Sequence, residues 1–353
     1  MKNKKYKAAV IGCGRIGAEV WKYRKEIQPA THAGVYSFHP RIKLSGLCDV
    51  DPERLKVAAK YFPGVHLFNS TIDMLGTIKP DIVSIATYPD SHLDLVKIAA
   101  KYKTRAIVCE KPLAPTIKEG EEIIRVCRKS GSLLFVNHSR RFDPFFRKAK
   151  KEIKDGKLGN ILQATYYYDN GIFNNGTHMV DILMFLLGEI DWLIAIENKK
   201  TKNTVNSHLK KDLNVDGILH FKNGARAAIQ SLPANYGFSE MYIYGEKGAL
   251  FFKNFGHKVE YRKLVENKYY KGYSQLNKPQ FWGRVRSFMA PMADHVVKCL
   301  EDKEKPISKG EDGLAALKIL FALEESAKNN GKLIKIKEYQ YAHHSHSSQA
   351  FYK

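Results

Sequence analysis

The residues with the clearest capacity for chemistry are Glu110, Lys111 and Pro112. They follow four apolar residues, Ala106-Ile107-Val108-Cys109. A short apolar run ending in a turn signal reads as a buried strand. A carboxylate and an amine then stand together at a strand's carboxyl end, the edge at which open parallel sheets bind ligands. An amine held there away from bulk water has its pKa pushed down and can exchange a proton near neutrality. Pro112 fixes the backbone beyond it and admits a cis Lys111–Pro112 peptide. The plain alternative is a surface Glu-Lys pair ahead of a loop proline, and the rest of the chain weighs against it.

A second constellation lies near the N-terminus. Lys7–Ile11 reads as a strand, Gly12-Cys13-Gly14-Arg15-Ile16-Gly17 follows at once, and a helix pattern runs on to about Ile27. G-x-G-x-x-G in the setting strand, turn, helix is the fingerprint of a dinucleotide site. Gly12 permits the tight turn, Gly14 leaves the pyrophosphate unobstructed, and Gly17 lets helix and strand approach. The N–H groups of Arg15 and Ile16 belong to a helix N-terminus with its positive dipole end. A second strand, Ile42–Cys48, ends at Asp49, whose carboxylate suits both ribose hydroxyls and repels a 2′-phosphate; NAD is therefore preferred over NADP. Asp49 lies further from the glycines than the usual spacing of about 20 residues. The excess is assigned to residues 28–40, read as a loop inserted after the first helix. A surface insertion with idle histidines is favoured over a segment reaching the cofactor or substrate.

These groups need a scaffold, and the patterning supplies one. Asp51-Pro52-Glu53 opens a helix, with Asp51 as N-cap and Pro52 at the first helical position. Residues 65–68, 81–86, 105–109 and 133–136 read as further strands, with a helix over 116–130 before the last. The loop Thr87–His92 leads into another helix. Strands alternating with helices of this length define a parallel, doubly wound sheet. After Val136 the character changes. Residues 145–154 form a basic amphipathic helix expected to be a solvated connector. Strand-like segments follow at 161–169, 192–197, 215–221, 225–231, 240–244 and 249–252, with turn signals at Asn223-Gly224 and Lys247-Gly248. A helix over 177–187 precedes most of them, and two more, near 288–300 and 313–328, close the chain. The expected fold class is α/β: an N-terminal doubly wound domain (1–137), then an α+β domain with an open, mostly antiparallel sheet (138–340), whose last helix, about 311–330, is expected to pack back on the first domain. A polar tail (341–353) ends the chain.

Composition narrows the function classes. The chain has 353 residues, 44% of them hydrophobic, enough for two globular cores. No apolar run reaches membrane-spanning length and no secretory pattern leads the sequence, so a cytoplasmic location is expected. Five cysteines, scattered and odd in number, read as reduced buried thiols without metal-ligand spacing. The net charge of +22 raises nucleic acid as a partner, but the lysines are dispersed with no basic arm or aromatic stripe. A small anionic substrate fits better. His343-His344-Ser345-His346 near the C-terminus is read as part of the loose tail; no metal site is assigned.

Taken together, Gly12-x-Gly14-x-x-Gly17, Asp49 with Asp51-Pro52, Ala86-Thr87 before His92, Glu110-Lys111-Pro112, Asn174 through Asp181 and Gly310–Gly313 resemble the glucose–fructose oxidoreductase/inositol dehydrogenase (Gfo/Idh/MocA) family over nearly the whole chain. The resemblance implies a Rossmann domain and an open-sheet domain. It further implies NAD(P)-dependent oxidation of a CH–OH group on a sugar, inositol or nucleotide sugar. Separately, the exposed face of the second-domain sheet is a natural self-association surface, so a homo-oligomer (dimer or tetramer) is expected. Thr87, His92, Glu110 and Lys111 join the glycines and Asp49 as cofactor-binding positions. In the family the lysine works with an aspartate and a histidine four residues apart. The histidine is His178, but Asn174 stands where the aspartate is expected, and an amide orients substrate without accepting a proton. The catalytic set is thus Lys111, His178 and Asn174. Asn137, Arg140, Asn174 and Asp181 are assigned to substrate, Asp181 also as a partner one turn beyond His178. Two alternatives stay open: a relative that recycles NAD around a hydrolysis or elimination, and a non-catalytic NAD-binding sensor.

Overall fold

The computed structural model describes residues 5–19, 28–201, 212–284 and 287–342. The chain divides into two compact units, one of residues 1–143 and 286–314, the other of 144–285 and 315–353.

The first unit is built on β1 (Tyr6–Ile11), α1 (His32–Phe38), β2 (Ile42–Cys48), α2 (Pro52–Tyr61), β3 (His66–Phe68), α3 (Thr71–Ile78), β4 (Ile82–Ile85), α4 (His92–Lys101), β5 (Ala106–Cys109), α5 (Ile117–Ser130) and β6 (Leu133–Val136). Six parallel strands lie in the order β3-β2-β1-β4-β5-β6. The order reverses between β1 and β4, the crevice in which such sheets take ligands. β4 and β5 are buried along their whole length, as parallel strands covered on both faces must be. Asp51 caps α2 by accepting from Glu53 N, with Pro52 in the first turn, as the sequence indicated.

The segment 28–40 differs from its sequence reading. Residues His32–Phe38 form a helix rather than a surface loop, and His32, Ala33, Gly34, Val35 and Tyr36 are buried in it. Its first N–H groups bond back into the glycine turn, His32 N to Ile16 O at 3.0 Å and Ala33 N to Gly17 O at 2.9 Å. α1 therefore continues the helical turn that Ala18 N and Glu19 N close on Gly14 O. The added length lies ahead of this helix, between Glu19 and Thr31, and the expected helical residues 20–27 lie outside the described residues.

The second unit opens with α6 (Pro144–Lys154), β7 (Ile161–Asp169) and α7 (Gly176–Leu187). It continues through β8 (Ile190–Glu197), β9 (Val215–Phe221), β10 (Arg226–Leu232), β11 (Glu240–Gly245), β12 (Gly248–Lys253), β13 (Lys258–Glu266), β14 (Ser274–Leu276) and β15 (Gln280–Arg284). Its sheet runs β14-β13-β12-β11-β7-β10-β9-β8-β16, where β16 is Ile334–Lys335 and β15 pairs with β13. All pairings are antiparallel except β7 with β10. α6 is not the solvated connector its basic composition suggests. Phe146 and Ala149 are buried, and the Phe146 ring stacks on Phe252 of β12 at 4.6 Å. Lys151 and Lys154 are exposed, while Lys148 Nζ lies over the Trp282 ring at 4.3 Å and Lys150 Nζ over the Phe185 ring at 5.6 Å.

Of the closing helices, α8 (Ala290–Leu300) supplies Met292, Ala293, Val296, Val297, Cys299 and Leu300 to the same hydrophobic cluster as β1, β2 and β5. The division between units falls within α9 (Gly310–Lys328), and α10 (Ile336–Ala342) follows β16. Among the described residues no helix is long and apolar enough to cross a membrane. All five cysteines are buried free thiols, and the histidine-rich tail lies outside the described residues.

Candidate active site

The glycine loop has the form of a phosphate cradle. Gly12 sits at φ +91°, and a Cβ there would stand 2.5 Å from Ala86 O. At Gly17 a Cβ would lie 1.9 Å from Gly12 O, so only glycine permits the close return of the helical turn. A Cβ on Gly14 would meet only the Arg54 guanidinium, at 3.6 Å, which leaves room above it for a ligand. Among the described residues the N–H groups of Gly14, Arg15, Ile16 and Gly17 bond no protein acceptor, an arrangement suited to an anion. Asp49, at the end of β2, is buried, and its carboxylate accepts from Cys13 N (2.7 Å) and Asp51 N (2.9 Å). Each oxygen keeps a lone pair for a ribose hydroxyl. Arg54 Nη1 lies 3.8 Å from Asp49 Oδ2. A buried acid held rigid beside a glycine cradle fits a dinucleotide.

Glu110 and Lys111 stand at the carboxyl end of β5, and the Lys111–Pro112 peptide is cis. Lys111 is partly exposed, whereas the Glu110 side chain is turned inward. Glu110 Oε1 receives His32 Nε2 at 2.9 Å and Asn137 Nδ2 at 2.6 Å, and Oε2 receives Lys111 N at 3.2 Å. Burial raises the Glu110 pKa, but the hydrogen bond and electrostatic attraction of His32, the hydrogen bond from Asn137 and the Lys111 charge outweigh it and hold the carboxyl below the usual range. Asn137, assigned from sequence to substrate, is buried and commits its amide nitrogen to Glu110 and to Met289 Sδ at 3.4 Å. His32 was read as idle and is instead wholly buried against Glu110. Its two ring nitrogens bond Glu110 and Ser84.

Thr87 and His92 bracket the loop after β4. Thr87 Oγ1 bonds Ser91 Oγ at 2.7 Å. His92 is buried between two carbonyls, Leu113 O at 3.0 Å and Thr87 O at 3.2 Å, and desolvation lowers its pKa. The ring lies between the Thr87 loop and the loop after Glu-Lys-Pro, and as a neutral imidazole it donates to only one of the two carbonyls. Arg140 is half-buried, its guanidinium 5.7 Å from the Phe288 ring centre.

In the second unit, Asn174 lies on a five-residue π turn, Gly171–Asn175, that runs straight into α7, which carries His178. Such turns leave backbone groups in need of partners. Here Asp212 supplies them: Oδ1 accepts from Phe173 N and Oδ2 from Asn174 N, both at 3.0 Å. Asn214 Oδ1 accepts from Gly171 N at 2.8 Å. Gly171 must be glycine, because it sits at φ +83° and a Cβ would lie 2.0 Å from Asp212 Oδ2. Asp169 holds the other side, accepting from Asn175 Nδ2 (2.6 Å) and Phe238 N (3.1 Å). Asn174 and His178 are partly exposed, and Asp181, one turn along α7, is buried. Sequence reasoning missed both Asp212 and His32, the first because it is distant from the turn it caps, the second because its segment was read as a loop. Among the described residues no cluster of histidine, cysteine and acidic side chains forms a metal site.

Comparison with known proteins places this geometry. A family model described as "Oxidoreductase family, NAD-binding Rossmann fold" matches residues 6–138, and its companion, "Oxidoreductase family, C-terminal alpha/beta domain", matches residues 169–336. The chain belongs to the Gfo/Idh/MocA family. Its first domain is accordingly an NAD-binding Rossmann domain, and the chain is a member of an oxidoreductase family. Among Gfo/Idh/MocA relatives, D-apiose dehydrogenase of Paraburkholderia graminis is 24% identical across 95% of this chain and 90% of its own length. Myo-inositol 2-dehydrogenase of Thermotoga maritima is 26% identical across 93% and 98%. The WlbA dehydrogenase of Bordetella pertussis, solved with NADH and UDP-GlcNAcA, superposes with a TM-score of 0.71 at 23% identity, covering 94% and 99% of the two chains, a likeness of fold.

Proposed function

We propose that this protein is an NAD-dependent dehydrogenase that oxidises a CH–OH group of a sugar, an inositol or a nucleotide sugar. The observation that carries the proposal is the shared edge of the first sheet. The glycine cradle, Asp49 and Lys111 follow the carboxyl ends of β1, β2 and β5, so the ribose acid and the amine are three strand spacings apart, about 14 Å. That span suits a dinucleotide laid across the crevice, with Lys111 at its reactive end. When bound, NAD supplies the hydride acceptor. The chain's own residues do the rest. Lys111 donates a hydrogen bond to the substrate hydroxyl, and His178 or Lys111 itself takes the hydroxyl proton as the hydride leaves. Asn174 and Arg140 hold neighbouring hydroxyls or an anionic group, and buried Asp181 supports His178 from the next turn of α7.

The sugar and inositol dehydrogenases among the relatives support the substrate class. The +22 charge favours an anionic member of it, such as a nucleotide sugar. NAD is favoured over NADP because Asp49, buried and doubly hydrogen-bonded, has no freedom to turn away from a 2′-phosphate. Asn174 favours one further reading, a cofactor-binding sensor, since an amide cannot accept a proton. A panel of polyols and nucleotide sugars with NAD separates the two: an enzyme accumulates NADH and a sensor does not.

A further inference from the structure

Lys111 is anchored from below by a buried chain of hydrogen bonds. Tyr36 OH lies 2.7 Å from Ser84 Oγ, Ser84 Oγ lies 2.8 Å from His32 Nδ1, and His32 Nε2 lies 2.9 Å from Glu110 Oε1. Tyr36, Ser84 and His32 each have 0% relative exposure. Among the described residues Ser84 is the hydrogen-bond partner of the Tyr36 hydroxyl. A buried O–H without an acceptor is strongly unfavourable, so Tyr36 donates to Ser84. Ser84 has one proton and gives it to His32 Nδ1. Nδ1 is then an acceptor and carries no proton, which makes His32 a neutral imidazole with its proton on Nε2, aimed at Glu110. Reversing the Tyr36–Ser84 bond would strand the phenolic proton, and a proton on His32 Nδ1 would make Ser84 accept twice and strand the seryl proton. The chain ends at the wholly buried Tyr36, whose phenol burial pushes well above its ordinary range, so its proton stays in place. It is a fixed donor line and not a proton exit.

We infer that His32 is a positioning residue for the reaction proposed above: held in one tautomer by Tyr36 and Ser84, it clamps Glu110 so that Glu110 Oε2 fixes the Lys111 backbone at the end of β5. Asn137 Nδ2 donates to the same carboxylate oxygen as His32, at 2.6 Å, and lies 3.5 Å from His32 Nε2. The glycine turn takes part directly, because His32 N and Ala33 N bond Ile16 O and Gly17 O. The phosphate cradle and the lysine support thus share one short helix. The inference rests on the dehydrogenase reading for its kinetics but not for its structural core.

The test uses the full-length protein. In ¹⁵N-histidine-labelled wild type, with His32 assigned by loss of its signal in His32→Gln, the inference expects one protonated and one bare ring nitrogen at neutral pH. Two protonated nitrogens would overturn it. In steady state, His32→Phe should lower kcat about 10- to 100-fold, leaving the KM for NAD within about two-fold. His32→Gln, whose amide can donate to Glu110, should recover most of the loss. An unchanged kcat in His32→Phe would also overturn the inference. Absence of turnover by wild type on every alcohol would sink the dehydrogenase reading alone. The ¹³C-methyl signal of dimethylated Lys111 then decides this one: it shifts in His32→Phe if His32 acts through Glu110, and an unmoved signal contradicts it.

Discussion

Lys111 carries the chemical account, and its replacement gives the sharpest kinetic expectation. Lys111→Ala should lose about 10²- to 10⁴-fold in kcat, the range for a positioned acid–base group, while NAD still binds in a thermal-shift titration. At Asp49 the expectation concerns cofactor choice. Asp49→Ser removes the carboxylate and leaves Arg54, already 3.8 Å away, to meet a 2′-phosphate, so the NADP/NAD ratio of kcat/KM should rise at least about ten-fold. Glu110 makes a prediction in pH. Its pKa is depressed on folding from the ordinary 4.5 to about 2. A depressed carboxyl stabilises the fold above its unfolded pKa, and this contribution is lost as pH falls through the folded value. The Tm advantage of wild type over Glu110→Gln should therefore be full at neutral pH and shrink between pH 4.5 and about 2. A gap that widened in acid would contradict the assignment. The glycine cradle and Glu-Lys-Pro were legible from the sequence because each depends on local spacing. The hydrogen-bond partners of Glu110 were not, because His32 and Asn137 approach it from 78 and 27 residues away.

At the level of elements, period and turn chemistry located most strands of both sheets, since buried parallel strands are continuous apolar runs and hairpins announce their turns. The failures share a cause. α1 holds His32, Gly34 and Ser37 within seven residues, and the preceding extra length hides its continuity with the glycine turn. Charged residues are spread along β13, and β14 and β15 are only 3 and 5 residues long, so no continuous apolar face reads as core. α6 was misread because its lysines outnumber the two residues it buries. That correction carries its own test: Phe146→Ala removes a ring stacked on Phe252 and should cost about 3–5 kcal/mol, read by denaturant titration, whereas a solvated helix would lose almost nothing. α8 gives no sequence sign of the cluster it joins, because amphipathicity reports that a face is buried and not against what. At the π turn, Asp212→Ala strips the acceptors from Phe173 N and Asn174 N, which sequence could not foresee across 39 and 38 residues. About 1–3 kcal/mol of stability should be lost for an unsatisfied pair of this kind.

For the whole molecule, the fold class followed from the alternation of strands and helices in the first half and of hairpins in the second. The substrate did not, because the family's chemistry needs only a few groups and the rest of a sugar site is shape. The β-sheet of the second unit exposes Leu162, Ile196, Ile218 and Tyr244, side chains suited to self-association. The expected state is a homo-oligomer, and light scattering should return a multiple of 40.2 kDa. The central proposal is that Lys111 serves a hydride transfer to NAD, and it is tested by the NADH released from NAD and a panel of sugars, inositols and nucleotide sugars. The account predicts that wild type turns over at least one of these alcohols and that Lys111→Ala and His178→Ala each fall about 10²-fold or more. Undiminished NADH formation by Lys111→Ala would contradict it.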